Sequence, residues 1–271
     1  MNAAVTVFFL IIKVFSLYFL AVSLFGLCRR RRPEPAARHR RFAVLIAARN
    51  EESCIAGLIE SLRAQHYPPE LVDIWVLPNN CTDRTAEAAR CAGAQVLEMP
   101  ASVRSKGAAL HTAAKALLRS ARNYDAFCVF DADNEADPAF LSEMNRALDR
   151  TAIVKSRILA KNRTQAGISA CYEIYFCSAN HFLNRARETV GLSARVIGTG
   201  FAIRRDLLEA LDGFPCRTLT EDAELYAACL CRGARIGYCE AAVTYDEEPV
   251  TWRASLVQRR RWMSGILQVA R

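Results

Sequence analysis

The chain changes its hydrophobic pattern three times. Residues 5–27 are apolar with no helical or strand period, interrupted only by Lys13 and a few small polar side chains. Such a run is long enough for one membrane-spanning helix of about 20 residues. From residue 42 onward, short apolar runs alternate with amphipathic stretches. Runs at 42–48, 72–77, 95–98 and 126–130 predict buried strands, and 51–63, 82–91 and 105–119 predict the helices between them. Asn50 is placed to cap the first of these helices, and Asp137-Pro138 opens another. Repeated β-α units of this length predict an α/β fold. It is a Rossmann-like, mostly parallel sheet with helices on both faces, preceded by one N-terminal transmembrane helix.

Past residue 150 the alternation loosens. Strands are predicted at 153–161, 195–203, 233–239 and 242–246, a helix at 166–187, and a helix start at Thr220. Residues 250–271 carry Trp252, Leu256, Trp262, Ile266 and Val269 among five Arg. That is a basic amphipathic helix, of the kind that lies on a membrane surface.

The expected organisation is a transmembrane helix at 1–28 and a basic juxtamembrane linker at 29–41 around Pro33-Glu34-Pro35. An α/β domain follows at 42–249, then an interface helix at 250–271. Arg29–Arg32 come directly after the apolar run, so the positive-inside rule predicts a single-pass protein of the cell (inner) membrane with its domain in the cytoplasm. A cleaved signal peptide would need its basic charge before the apolar run. Residues 1–41 hold Lys13, seven Arg and Glu34, a net +7 of the chain's +8. The remainder is close to neutral, which argues against a nucleic-acid groove and makes anionic lipid the partner of the Arg run. Eleven Cys lack C-x-x-C pairs and four His lack metal-ligand spacing. Reduced thiols are expected, with Cys229-x-Cys231 in core packing.

Three short clusters carry candidate chemistry. Asp131-Ala132-Asp133 closes an apolar strand; residues two apart in extended chain point the same way, so both carboxylates suit a hard cation, Mg²⁺ or Mn²⁺. Thr220-Glu221-Asp222 sits at a helix start, where Thr caps and the acids favour the dipole; Asp222 is also a candidate general base. Gln258, Arg261 and Trp262 put a polar, a cationic and an aromatic group within two helical turns, suited to phosphate and to a sugar or base face. Around them, Ala48 and Glu51 follow the first strand, Asn79 follows the second, and Lys106 is placed to reach a diphosphate.

Together these residues resemble the family 2 glycosyltransferases of the GT-A fold, nearest the membrane-bound branch with cellulose, hyaluronan and exopolysaccharide synthases. The likeness runs over about residues 42–265. It implies an inverting, metal-dependent transfer from a nucleotide-sugar donor, commonly a UDP-sugar, in polysaccharide or cell-surface glycan synthesis. Asp131 and Asp133 would serve metal and donor, Asp222 with Glu221 beside it would supply the base, and Gln258, Arg261 and Trp262 would close over donor and acceptor end. Thr199, in Gly198-Thr199-Gly200, would lie near the acceptor. Asn79 stands where the family usually has an Asp. Processive members continue into several membrane helices, and one span forms no pore. The expectation therefore divides between a truncated product, a channel-forming partner subunit, and single transfer to a glycan or lipid-linked acceptor. Transfer to a polyprenyl phosphate and an inactive scaffold subunit are the alternatives; a metal-independent hydrolase fits less well.

Overall fold

The computed structural model describes residues 3–28, 36–215 and 217–270. The Arg29–Arg32 run and most of the predicted linker lie outside the described residues.

Helix α1 (Ala3–Leu24) is apolar and exposed, and the segment Val5–Leu27 has a mean hydropathy of 2.4, long and apolar enough to cross a membrane. Its far end is seated on the domain. A 3₁₀ turn (Phe25–Leu27) follows, in which Gly26 is buried so tightly that a Cβ there would lie 2.4 Å from the His181 carbonyl oxygen. Arg185 Nη2 donates to the Cys28 carbonyl at 2.9 Å.

The domain is an eight-stranded sheet in the order β3-β2-β1-β4-β7-β6-β8-β5. Strands β1 (Phe42–Ala48), β2 (Val72–Pro78), β3 (Gln95–Val96) and β4 (Ala126–Asp131) are parallel. Helices α2 (Ile55–Arg63), α3 (Thr85–Cys91) and α4 (Lys106–Leu118) connect them. Strand β7 (Phe201–Arg204) runs antiparallel to both β4 and β6 (Ile153–Ala160). Strand β8 (Ile236–Asp246) pairs in parallel with β6, and the short β5 (Glu135–Ala136) runs antiparallel to β8. The sheet is therefore mixed, parallel in its N-terminal half.

Period-two alternation distributes β1 between two cores. Val44 and Ile46 pack with Leu58, Ile59 and Leu62 of α2 and with α5 (Phe140–Ala147). Ala43 and Leu45 pack with Leu110, Ala113 and Leu117 of α4, with α8 (Arg205–Ala210) and with α9 (Glu221–Cys231). Covered on both faces, these strands read as unbroken apolar runs rather than alternating ones.

Several expected boundaries move for local reasons. Asn50 has φ 59 and does not cap α2; its Oδ1 accepts from the Thr82 amide at 2.8 Å, and the helix begins at Ile55. Asp83 Oδ1 accepts from the Thr85 amide, so α3 starts at Thr85. The strand predicted at 195–203 pairs only from Phe201, because Gly200 turns the chain with φ 59. The two strands expected at 233–246 are one, bulged where the register jumps from Ser156↔Cys239 to Arg157↔Val243. The helix expected at 166–187 is α6 (Gly167–Ser178), a π-helical turn (Ala179–Arg185) and α7 (Ala186–Thr189) in succession. Helix α10 (Trp252–Val269) is capped by Thr251, whose hydroxyl accepts from the Ala254 amide. All ten described cysteines are free thiols, with Cys229 buried and Cys231 exposed.

Phe130 on β4 is fully buried with its ring 4.9 Å from that of Phe140. Phe130→Ala is expected to lower unfolding free energy by about 3–5 kcal/mol, measured by urea denaturation in detergent. A loss below about 1 kcal/mol would contradict the packing described.

Candidate active site

The carboxyl ends of parallel strands leave a crevice where connecting loops converge. Here that edge holds a pocket of about 510 Å³, and every site residue predicted from the sequence lines it. Ala48 ends β1, Asn79 follows β2, and Asp131 ends β4. Lys106 begins α4, Glu221 and Asp222 begin α9, and Gln258, Arg261 and Trp262 project from α10. Thr199 enters on the irregular segment before β7.

Lys106 is the centre of this arrangement. Its ammonium donates to Asp131 Oδ1 at 2.5 Å and to the Gly198 carbonyl at 2.6 Å, with Glu221 Oε1 at 3.4 Å. A Cβ placed on Gly198 would lie 3.3 Å from that Nζ, 3.5 Å from Glu221 Oε1 and 3.9 Å from Asp222 Oδ2. Burial opposes the Lys106 charge, but the Asp131 and Glu221 carboxylates outweigh it and hold the ammonium above its ordinary value. Burial raises Glu221, which Lys106 draws back in part.

The Asp131/Asp133 geometry differs from expectation. The strand stops at Asp131, and Ala132-Asp133 form a turn, yet both acids reach the pocket. Asp133 is pushed up to about 6, first by burial and then by Asp131, with Glu51 and Glu247 adding to it. No group of three or more His, Cys, Asp or Glu side chains poised to hold a metal occurs among the described residues. What is present is a pair of hard oxygen donors in a pocket short of positive charge, and that donor set fits Mg²⁺ or Mn²⁺ with further positions left to phosphate and water.

Other side chains serve the framework. The Thr199 hydroxyl is buried, donates to Asn134 Oδ1 and accepts from the Asp131 amide at 3.0 Å, so it braces the end of β4. Asn79 is buried and its Oδ1 accepts from Asn80 Nδ2 at 2.7 Å. Glu51 Oε2 accepts from the Cys54 thiol at 3.1 Å. Thr220 occupies the N-cap position of α9 but makes no cap hydrogen bond, because its side chain is pressed against α10: a Cβ on Gly265 would lie 2.3 Å from Thr220 Cγ2. Gln268 Oε1, accepting from the Leu219 amide at 2.9 Å, adds a second tie between α10 and that loop. Gln258 Oε1 accepts from the Tyr172 hydroxyl at 3.0 Å, and Trp262 meets the Tyr172 ring edge-on at 6.4 Å. Arg261 is exposed at the pocket wall.

Sequence reasoning missed four contributors. Asp246, Glu247 and Glu248 follow β8 into the pocket, and Lys155 lies beneath it. Lys155 is fully buried and donates to the Thr199 and Gly200 carbonyls at 2.9 and 3.2 Å. Burial lowers Lys155 and raises Asp246, each drawing the other back toward its charged form. Glu248 is pushed up to about 8 by burial, then by Asp246 and Asp133. A lysine inside the apolar run at 153–160 and an acidic triplet before Pro249 were the available signals.

These features define a GT-A-type α/β fold with a polar pocket at its carboxyl edge. The chain belongs to the family described as Glycosyltransferase like family 2, matched over residues 39–265. It is 28% identical over 235 residues to the probable glycosyltransferase YdaM of Bacillus subtilis, covering 82% of this chain and 54% of that one. It is 26% identical over 233 residues to a beta-monoglucosyldiacylglycerol synthase of Synechocystis sp., covering 82% and 47%. The chain thus spans about half the length of these curated relatives. Among solved structures, the mannosyltransferase PcManGT of Pyrobaculum calidifontis, in complex with GDP-Man and Mn²⁺, superposes with a TM-score of 0.70 at 21% identity. That match covers 93% of this chain and 69% of the other.

Asp133 has a defined pH signature. Its folded value, about 6, lies above the ordinary 3.8, so its contribution to stability is fully present below 3.8 and is lost as pH rises through 6. In metal-free protein, Asp133→Asn is therefore expected to raise the thermal midpoint at pH 8 and to leave it unchanged below pH 3.8. A midpoint difference independent of pH would contradict the stated burial of the charge.

Proposed function

We propose that this chain is a membrane-anchored, inverting glycosyltransferase. It moves a sugar from a nucleotide diphosphate donor, most readily a UDP-sugar, to an acceptor hydroxyl. The observation that carries this reading is the single pocket that collects an oxygen-donor pair, a second acidic pair and a cationic-aromatic helix face. Each is needed for a different part of the transfer.

Lys106 and Arg261 bind the donor diphosphate, and Asp131 and Asp133 hold the divalent cation. Bound there, that cation supplies Lewis-acid stabilisation of charge on the leaving diphosphate. Asp222 accepts the acceptor hydroxyl proton as the oxygen attacks the anomeric carbon. The sugar–phosphate C–O bond breaks with its electron pair going to the diphosphate, and the centre inverts. Glu221, beside Lys106 at 3.4 Å, positions that ammonium. Ala48, Glu51 and Asn79 border the nucleoside, and Trp262 with Gln258 closes the acceptor side. Much of the rate comes from holding the two substrates in line.

Helix α1 anchors the protein in the cell membrane by one span, with the Arg29–Arg32 run and the domain on the cytoplasmic side. The acceptor is a growing glycan or a lipid. A lipid acceptor is favoured by the apolar residues of α10 that flank the pocket, Trp252, Leu256 and Val257, exposed by 72, 62 and 66%. The similarity to a protein named for synthesis of a monoglucosylated diacylglycerol points the same way. Such an acceptor needs no export channel.

Nucleotide diphosphate release from a panel of UDP- and GDP-sugars, with Mn²⁺, with Mg²⁺ and with EDTA, tests the reading. Release is expected from one donor, dependent on metal. Asp222→Asn is expected to reduce turnover by about 10²–10⁴-fold with donor binding retained; an active Asp222→Asn protein would remove Asp222 as the base. Labelled donor appearing in the lipid phase rather than in polymer would establish the acceptor class.

A further inference from the structure

Asp246 and Glu248, at and just past the end of β8, line the catalytic pocket with carboxyls that the framework does not use. Glu248 is only 6% exposed, yet its carboxyl makes no hydrogen bond or ion pair with any described residue. Asp246 Oδ1 is buried with no partner. Lys155 offsets the Asp246 charge but spends its own hydrogen bonds on the Thr199 and Gly200 carbonyls. The main chain, by contrast, is firmly tied. The Asp246 carbonyl accepts from the Lys161 amide at 2.8 Å. Asn162 bonds Glu248 on both sides, Oδ1 accepting from its amide at 2.9 Å and Nδ2 donating to its carbonyl at 2.8 Å. The segment is thus pinned beside the end of β6 while its side chains are left over.

Buried polar groups are normally paired, so two unpaired carboxyls held at a pocket wall call for hydrogen-bond donors from a ligand. Hydroxyl groups fit. An ionised carboxyl accepts from them in short, charge-assisted bonds, and a protonated one donates as well. Position points to the transferred sugar. The Asp246 carboxyl feels Asp131, Asp133 and Lys106, and that of Glu248 feels Asp246 and Asp133. Those neighbours are the groups assigned above to the cation and the diphosphate, and the sugar is what the donor carries next to its diphosphate. Charge narrows the choice of sugar. Eight carboxylic acids and four cations among the described residues line the pocket. A donor diphosphate and one divalent cation largely cancel, so the excess of acid remains to face the sugar.

We propose that Asp246 and Glu248 bind hydroxyl groups of the donor's sugar, and that the site takes an uncharged sugar and rejects its uronate counterpart. The proposal rests on the glycosyltransferase reading above. A neutral hexose offers several hydroxyls to these oxygens and leaves no charge uncompensated. A uronate brings a further carboxylate against Asp133, Asp246 and Glu248, whose own charges are already disfavoured there by burial and by one another. The cations of the pocket stand on other segments: Arg49 after β1, Arg104 and Lys106 around the start of α4, and Arg261 on α10. Discrimination of this kind is strong, because the wrong ligand leaves buried polar groups unpaired.

The test uses the full chain in detergent with Mn²⁺ at pH 8.5, above the value of about 8 to which burial pushes Glu248. Dissociation constants are measured by titration calorimetry for UDP, UDP-glucose, UDP-galactose, UDP-N-acetylglucosamine and UDP-glucuronate. GDP, GDP-mannose and GDP-mannuronate are run beside them. Wild type is expected to bind one neutral nucleotide-sugar more tightly than the free nucleotide, and the uronate of the same nucleotide about tenfold more weakly than that sugar. Glu248→Gln is expected to weaken the neutral donor about tenfold, the worth of one charge-assisted hydrogen bond. It is expected to leave the free nucleotide unchanged and to bind the uronate more tightly than wild type does. Asp246→Asn is expected to shift the constants in the same directions and serves if Glu248→Gln misfolds. A merely structural loss does not move neutral sugar and uronate in opposite directions. A uronate bound as tightly as the best neutral donor overturns the sugar class. Variants that weaken the free nucleotide as much as the nucleotide-sugar, or that change nothing, overturn the sugar contact. A wild-type chain that binds no nucleotide of either base overturns the transferase reading itself, whereas nucleotide binding without a variant effect overturns only this subsite.

Discussion

The rest of the pocket depends on one ammonium. Lys106 draws together the end of β4, the Gly198 carbonyl and the start of α9, three segments far apart in sequence. Without it, Asp131, Glu221 and Asp222 would face one another as uncompensated negative charge in a partly buried space. Neighbouring carboxylates raise one another's proton affinity, as Asp131 does, after burial, at Asp133. Beneath, Lys155 repeats the device on a fully buried scale, pinning the Thr199 and Gly200 carbonyls from below while offsetting Asp246. Removing one member of a buried ionic group commonly costs about 3–5 kcal/mol. The arrangement is therefore held by charge balance as much as by packing.

Around that centre the two halves of the sheet do different work. The parallel half delivers Ala48, Asn79 and Asp131 at its carboxyl edge, as expected of open α/β sheets. The second half breaks the pattern. Antiparallel β7 brings the Gly198–Gly200 segment back over β4, and β8 carries Asp246 and the acids after it to the same rim. Helix α10 then closes the far wall. It is held there by steric fit, Gly265 against Thr220, and by the Gln268–Leu219 hydrogen bond, with Trp262 resting on Tyr172. The two walls of the pocket thus come from different structural classes.

The junction of α1 with the domain adds a constraint that a freely tethered enzyme would lack. Gly26 lets the 3₁₀ turn sit directly on main chain, and Arg185 bonds the last described residue before the Arg run. A helix seated this way has its direction fixed relative to the domain it precedes.

Much of this was legible in the residues. Largely apolar runs of five to seven residues located β1, β2 and β4 because strands covered on both faces need no alternation. Ser105 marked the start of α4 and caps it through the Ala108 amide, since a side-chain oxygen before a helix satisfies an orphan donor. The three clusters, with Lys106 and Asn79, named the pocket wall because functional side chains gather at strand ends and helix starts. Local pattern failed where a residue answers to a distant partner. Asn50 bonds Thr82 instead of capping, Thr220 meets Gly265 instead of its own helix, and Thr199, although it lines the pocket, spends its hydroxyl on Asp131 and Asn134. The roles of Lys155 and Asp246 are set by burial and by each other, quantities that exist only once β6 and β8 lie side by side. Sequence alone determined the elements and the chemical types available, because those follow from neighbours along the chain. Which side chains share charge, which hydroxyls are consumed internally and where α1 docks were decided by tertiary structure, because each depends on contacts between segments that the chain's order does not encode locally.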